Sequence, residues 1–212
     1  MTTAVPRPTI LATLDDATRE LVRLSATVAA GNEASVREQL LDVVDRVDAL
    51  WIEEVLLQSY LFAGFPRALN GMRAWRRISG RVAALAAEDG GDVAQWRERG
   101  EQTCRLVYGS MFEPLRRNIR ELHPELDEWM IVEGYGKVLS RPGLDLPRRE
   151  LCIVAACAAS GQDRQLHSHL HGSLNVGCAP QVVTETIEAI ASMLDPARLV
   201  SARLLWARVH RK

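Results

Sequence analysis

Cut at its glycines and prolines, the chain falls into segments of helix length, with almost no β-branched alternation inside them. The breaks stand at Gly31-Asn32, Gly64 with Pro66, Gly90-Gly91, Pro124, Pro142-Gly143, Pro147, Gly161, Gly177 with Pro180, and Pro196. Glycine frees the backbone and proline removes a donor, so both punctuate helices. Between the breaks, alanine, leucine, arginine and glutamate dominate, and these are good helix formers. Aromatic residues make up only 5%. Leu21, Leu24 and Val28 follow the i, i+3, i+7 spacing of one helix face. Leu166, Leu170, Ser173, Leu174 and Gly177 form a second stripe, with Arg164, Ser168, His171 and Asn175 opposite. The spacing predicts an all-α chain of about ten helices. The polar, glycine-rich stretch Glu88-Asp89-Gly90-Gly91-Asp92 is the expected joint, dividing residues 1–88 from 89–212.

The balance of 47% apolar and 25% charged residues is that of an ordinary globular protein. A net charge of −1 gives no electrostatic reason for nucleic acid or an anionic membrane as partner. The cysteines are Cys104, Cys152, Cys157 and Cys178; no C-x-x-C and no zinc-type Cys/His spacing occurs. Two of them lie in an apolar run, where a cysteine is usually a small buried hydrophobe, which points to a reducing compartment. Met1 to Ile10 has no apolar core of a signal peptide, and the longest apolar run, Leu151 to Ala159, is far too short to span a bilayer. A cytoplasmic protein without nucleic-acid or membrane partners is expected.

Sliding the chain by 130 residues sets two halves on each other. Arg19-Glu20-Leu21 falls on Arg149-Glu150-Leu151, and Ala26, Ala29 and Gly31 fall on Ala156, Ala159 and Gly161. Leu40, Pro66, Leu69 and Arg73 fall on Leu170, Pro196, Leu199 and Arg203. Those are ten ungapped identities between Arg19 and Trp75, against about four expected from ordinary residue usage. The clustering carries more weight than the count, because alanine richness inflates the latter. Two tandem, diverged helical repeats are expected, with Gly91 to Ser140 as an inserted connection.

In the second repeat, Glu150 opens a helix that ends near Gly161, and His169 follows nineteen residues later on the next helix. Helices joined by a short loop lie antiparallel. His169 is three residues from Leu166 and four from Ser173, so it points inward with Glu150. A glutamate that fixes a histidine ring forms a proton-transfer pair. In the first repeat the matching positions are Glu20 and Gln39. Glutamine is no acid at neutral pH, so that copy is expected to serve as scaffold. The plain alternative is that Glu150 and His169 form a satisfied buried hydrogen bond.

Other constellations are weaker. His167 and His171 share the i, i+4 spacing of a metal pair but lie on a polar face without a third ligand, so a solvated pair is expected. Tyr60, Phe62, Phe65 and Trp75 are candidates for an apolar pocket or for core. Arg149, like Arg19, offers a fork for a substrate carboxylate or a salt bridge at a helix start. Arg76-Arg77 and Arg116-Arg117 are balanced by acids and read as solvated faces. Cys178 follows Gly177, a place open to a partly exposed thiol, with nothing nearby to activate it.

Six runs then resemble one family. The second half carries Tyr135-Gly136, Arg141-Pro142-Gly143-Leu144, Arg149-Glu150-Leu151 and Gln165-Leu166-His167-Ser168-His169-Leu170-His171-Gly172-Ser173-Leu174-Asn175-Val176-Gly177. The first half carries Glu53-Glu54-Val55-Leu56-Leu57-Gln58 and Tyr60-Leu61-Phe62-Ala63-Gly64-Phe65-Pro66-Arg67-Ala68-Leu69-Asn70. Together they resemble the carboxymuconolactone decarboxylase family. The resemblance implies the all-helical fold of the alkylhydroperoxidase D proteins, chemistry without cofactor or metal, and assembly with further copies. Single-unit members form hexamers, so three two-repeat chains would rebuild a similar ring. It also implies a carboxy-lyase-like enzyme acting on a small unsaturated carboxylic acid or lactone. His169 would be the acid, Glu150 its orienting base, and Arg149, Tyr60 and Phe65 the substrate-binding residues. The chain departs from the alkylhydroperoxidase branch, whose C-x-x-C positions hold Gln162 and Gln165 here. Thiol peroxidase chemistry is therefore not expected. The second repeat has Ser192-Met193-Leu194-Asp195-Pro196 where the first has its aromatic, glycine-containing ending. These departures keep a second reading open, an oligomeric binding or scaffold protein without turnover.

Overall fold

The computed structural model describes residues 10–83 and 92–211. In chain order they form α1 (Asp16–Ala30), α2 (Glu33–Val43), α3 (Ala49–Gln58), α4 (Tyr60–Ser79), α5 (Val93–Tyr108), α6 (Phe112–Leu122), α7 (Pro124–Trp129), a π-helical stretch (Met130–Leu139), α8 (Leu146–Ser160), α9 (Asp163–Asn175), α10 (Pro180–Ala189) and α11 (Pro196–His210). The fold is all-α, as the breakers imply. Four of the five residues expected to form the domain joint, Glu88 to Gly91, lie outside the described residues.

The helix starts have a local cause. Asp15, Asn32, Asp48, Asp92, Asp145 and Asp195 each accept a hydrogen bond from a backbone N–H of the following turn, at 2.7–3.0 Å. Each satisfies a donor that has no partner within the helix. Gly161 ends α8 in the left-handed conformation (φ 71°) and turns the chain into α9. Gly64 (φ 81°, ψ 160°) breaks α4 one turn in, just before Pro66.

α8 is the central element. From Leu151 to Ala159 every residue is buried. Small side chains let α1 approach on one side, where Ser25 Oγ donates to the Cys152 carbonyl at 2.8 Å. α9 packs on another. Leu11 ties the chain start to the turn after α9, its N–H donating to the Gly177 carbonyl at 3.1 Å and its carbonyl accepting from Ala179 at 3.0 Å. The connection expected as an insertion is itself a packed unit of α5, α6, α7 and the π-helical stretch. α5 and that stretch meet through glycines: a Cβ on Gly100 would overlap the Ile131 carbonyl, and one on Gly136 the Trp96 carbonyl. The Arg116 side chain is not a solvated face. It pairs with the buried Asp127 and with Glu101, while Arg120 closes on Asp127 at 2.6 Å.

One buried ion pair joins the two halves. Arg149 on α8 is 0% exposed. Its guanidinium donates to Glu54 of α3 at 2.7 Å, Gln58 at 3.1 Å, and the carbonyls of Leu144 and Arg141 at 3.0 and 3.2 Å. Arg141 reaches the same Glu54 carboxylate at 2.8–3.0 Å. Burial works to raise the Glu54 carboxyl. The hydrogen bonds and charges of the two arginines outweigh it and hold the group below the usual carboxylate range.

A carboxyl held low contributes stability that is full above its ordinary pKa and disappears as pH falls through the folded value. Glu54→Gln strands the buried Arg149, which costs about 3–5 kcal/mol. Thermal melts at pH 7 should show Tm lower by roughly 10 °C, the gap from wild type narrowing in acid; a gap that is absent or independent of pH contradicts the assignment.

Candidate active site

The turn at Gly161-Gln162 folds α9 back along α8, which brings His169 to Glu150. Nδ1 of the ring lies 2.8 Å from Glu150 Oε2. Glu150 is 0% and His169 5% exposed. An ionised carboxylate only accepts, so in that state the ring proton lies on Nδ1 and Nε2 is left for exchange with a substrate. Gly172 makes the approach possible. A Cβ there would stand 2.6 Å from Glu150 Oε2 and 2.7 Å from Val107 Cγ1. The second carboxylate oxygen, Glu150 Oε1, is buried and has no hydrogen-bond partner. Such an atom is uncommon in a folded protein, because leaving it unpaired has a cost.

Two aromatic rings frame the imidazole. Phe62, from the first turn of α4, meets it edge-on at 5.7 Å between centroids, and Tyr108, the last residue of α5, at 6.4 Å. Tyr135 of the π-helical stretch stands edge-on to Tyr108 at 6.3 Å. Burial pushes both phenols above their ordinary range. The imidazole is thus enclosed by residues from α4, α5, α8 and α9. Two surface clefts, of about 1040 and 370 Å³, are lined by other residues and include neither Glu150 nor His169.

The first half holds the corresponding pair with different chemistry. Gln39 Nε2 donates to Glu20 Oε2 at 2.9 Å, across the same separation of nineteen residues. Arg46 reaches the other Glu20 oxygen at 3.4 Å. Glu20 is therefore satisfied at both oxygens, and Glu150 at one.

The substrate-binding residues expected from the sequence are not gathered here. Arg149 takes the other role open to it, the buried salt bridge described above, with its guanidinium making four hydrogen bonds to protein. Tyr60 stacks on Phe65 at 4.7 Å, and Phe65 is 64% exposed, pointing away from the core. Phe62, one of the four aromatics weighed as pocket residues, is the one that touches the histidine. Trp75 is core and donates to Glu53 at 3.1 Å. Tyr108 and Gly172 carried no functional signal of their own in the sequence. Tyr108 ends α5, and Gly172 lies between His171 and Ser173 as one small residue among others.

His167 and His171 stand edge to face at 5.0 Å. Among the described residues no group of three or more His, Cys, Asp or Glu is placed to hold a metal ion, and no helix is long and apolar enough to cross a membrane. All four cysteines are free and buried. Burial pushes the thiols of Cys152, Cys157 and Cys178 up to about 12, and that of Cys104 further. Cys178 is therefore not the partly exposed thiol its position beside Gly177 suggested; the bridge to Leu11 lies over it.

Residues 124–208 match the model of the carboxymuconolactone decarboxylase family. The match covers Tyr135, Glu150 and His169 but not Phe62 or Tyr108. Among curated proteins the chain is similar to Peroxisomal protein 2 of Saccharomyces cerevisiae, 23% identical over 167 residues, which cover 66% of this chain and 58% of that protein. It is also similar to Peroxisomal protein 2 of Schizosaccharomyces pombe, 28% identical over 140 residues, 62% of this chain and 63% of that protein. The chain thus spans about three fifths of the length of the curated relatives it matches. Both names overturn the expectation of a cytoplasmic protein. Buried free cysteines do not separate the two compartments, because a peroxisomal address is read by a receptor and leaves no mark on the core.

Gly172→Ala drives a methyl group into Glu150 and Val107. Overpacking of this kind costs about 1–3 kcal/mol, read as a lower denaturant midpoint; unchanged stability would mean the helices part freely there. The four thiols are expected to resist an aromatic disulfide reagent at pH 8 until the protein is unfolded. Rapid labelling of the native chain would contradict their burial.

Proposed function

We propose that this chain, whose residues 124–208 belong to the carboxymuconolactone decarboxylase family, is an acid–base enzyme that works without a cofactor on a small unsaturated carboxylic acid or lactone. The observation that carries the reading is the buried Glu150–His169 pair, with one carboxylate oxygen left unpartnered. In the proposed reaction the bond between carbon and the substrate carboxylate breaks and carbon dioxide leaves. The electron pair flows into the conjugated carbonyl or lactone, giving a dienolate. His169 starts this step as the imidazolium, protonated on both nitrogens, and its Nε2 proton then adds to carbon, leaving the neutral Nδ1–H ring. Glu150 holds Nδ1–H and steadies the ring while its charge changes, and the ring regains its proton from water before the next turnover. Phe62 and Tyr108 keep the imidazole dry, which strengthens the electrostatic hold of Glu150 on it.

The first repeat is proposed to be scaffold, since Glu20 is occupied by Gln39 and Arg46. The division at the glycine-rich break belongs to the same proposal. Exposed Phe65, Leu69, Met111 and Trp129 favour assembly with further copies. A second reading, a binding or scaffold protein without turnover, is favoured by one observation: the clefts lie elsewhere and aromatic side chains close around His169.

The test is release of carbon dioxide from a panel of unsaturated lactone acids by the purified protein. A substrate should be turned over by wild type, with His169→Gln slower by about 10²–10⁴-fold. Glu20→Gln should leave the rate unchanged. Undiminished turnover in His169→Gln overturns the assignment, and a panel without any turnover favours the second reading.

A further inference from the structure

The larger cleft, about 1040 Å³, lies between α2 and the long part of α4, with the end of α1 beneath it. None of its lining residues belongs to the Glu150–His169 site. Four arginines border it: Arg37 from α2 and Arg67, Arg73 and Arg77 from α4. Elsewhere arginines are commonly paired with acids, as Arg76 is with Glu53, Arg116 with Asp127 and Arg203 with Glu188. Those at the cleft have no acid partner among the described residues. Arg67 donates to the carbonyls of Val28 and Gly31, at 3.2 and 2.7 Å, and Arg73 to the Asn70 amide oxygen at 3.4 Å. Arg37 and Arg77 have no ion-pair partner among the described residues. The single acid in the lining is Glu33, which is held by Asn70 Nδ2 at 2.7 Å. Between the charged walls the surface is apolar, formed by Val28, Val36, Pro66, Ala74 and Ile78.

A cluster of guanidinium groups without acids repels itself, and a fork of N–H donors fits phosphate and carboxylate oxygens in pairs. The volume is at the upper end of the usual range for small-molecule sites. We propose that this cleft binds an organic anion whose oxyanion head, a phosphate monoester or carboxylate, is held by Arg37 and Arg77 and whose apolar body lies along Val36, Ala74 and Ile78. The site is separate from the acid–base pair and does not depend on it.

Calorimetric titration of the full chain tests this with octyl phosphate, octanoate, inorganic phosphate and the uncharged octyl glucoside. Octyl phosphate, octanoate or both should bind saturably, and the stronger of the two names the head group. Inorganic phosphate should bind more weakly and octyl glucoside should give no saturable heat. Arg37→Gln/Arg77→Gln, at exposed positions where the fold is not at stake, should weaken anion binding by about tenfold or more, as expected when charge-assisted hydrogen bonds are lost. His169→Gln should bind as wild type does. Binding by neither octyl anion, equal binding by the double variant, or equal binding of octyl glucoside overturns the proposal.

Discussion

A helix buried along nearly its whole length cannot carry charge unless its neighbours answer it, and α8 carries two opposite charges side by side. Arg149 and Glu150 are both 0% exposed. Successive residues on a helix point about 100° apart, so the two side chains leave α8 in different directions. Arg149 is answered by Glu54, Gln58 and two carbonyls, which fastens the second half of the chain to the first. Glu150 is answered by His169 alone, through one oxygen. Desolvating either charge without its partner would cost several kcal/mol, so the positions of α3 and α9 against α8 are tied to these two residues.

The same arrangement separates structure from chemistry. Arg149 makes four hydrogen bonds, all to protein, and at 0% exposure it holds the fold. Glu150 retains an unsatisfied oxygen and a titratable partner. Polar groups left short in this way tend to mark sites at which something moves. Glu20, at the matching position of the first half, is met at both oxygens, by Gln39 and Arg46.

Much of this was legible in the sequence. The helix breakers at Gly161, Gly177 and Pro180 fall where helices end or begin, and the spacing from Glu150 to His169 was enough to set the two facing each other. The matching pair Glu20 and Gln39 could be paired from the offset alone. What sequence could not give is which side of a residue the rest of the chain comes to occupy. Arg149 and Glu150 are adjacent and equally polar, and their fates differ because α3 lies on one side and α9 on the other. Phe65 and Phe62 are three residues apart, yet the glycine at position 64 breaks the helix between them and turns one to solvent and one to the histidine. Tyr108 reaches the site from α5, in the stretch between the two matched halves, so no comparison of the halves could reveal it. The relatives' names overturn the expectation of a cytoplasmic protein, and composition carries no signal that could have anticipated them.

The central claim is that Glu150 fixes the proton on Nδ1 of His169 and leaves Nε2 as the exchanging atom. Nitrogen-15 NMR of the imidazole, assigned by difference against His169→Gln, reads it directly. The account predicts a protonated Nδ1 that exchanges slowly with solvent, and an Nε2 signal that shifts when an unsaturated lactone acid is added. A ring protonated on Nε2 alone, or a spectrum blind to every acid in the panel, would contradict it.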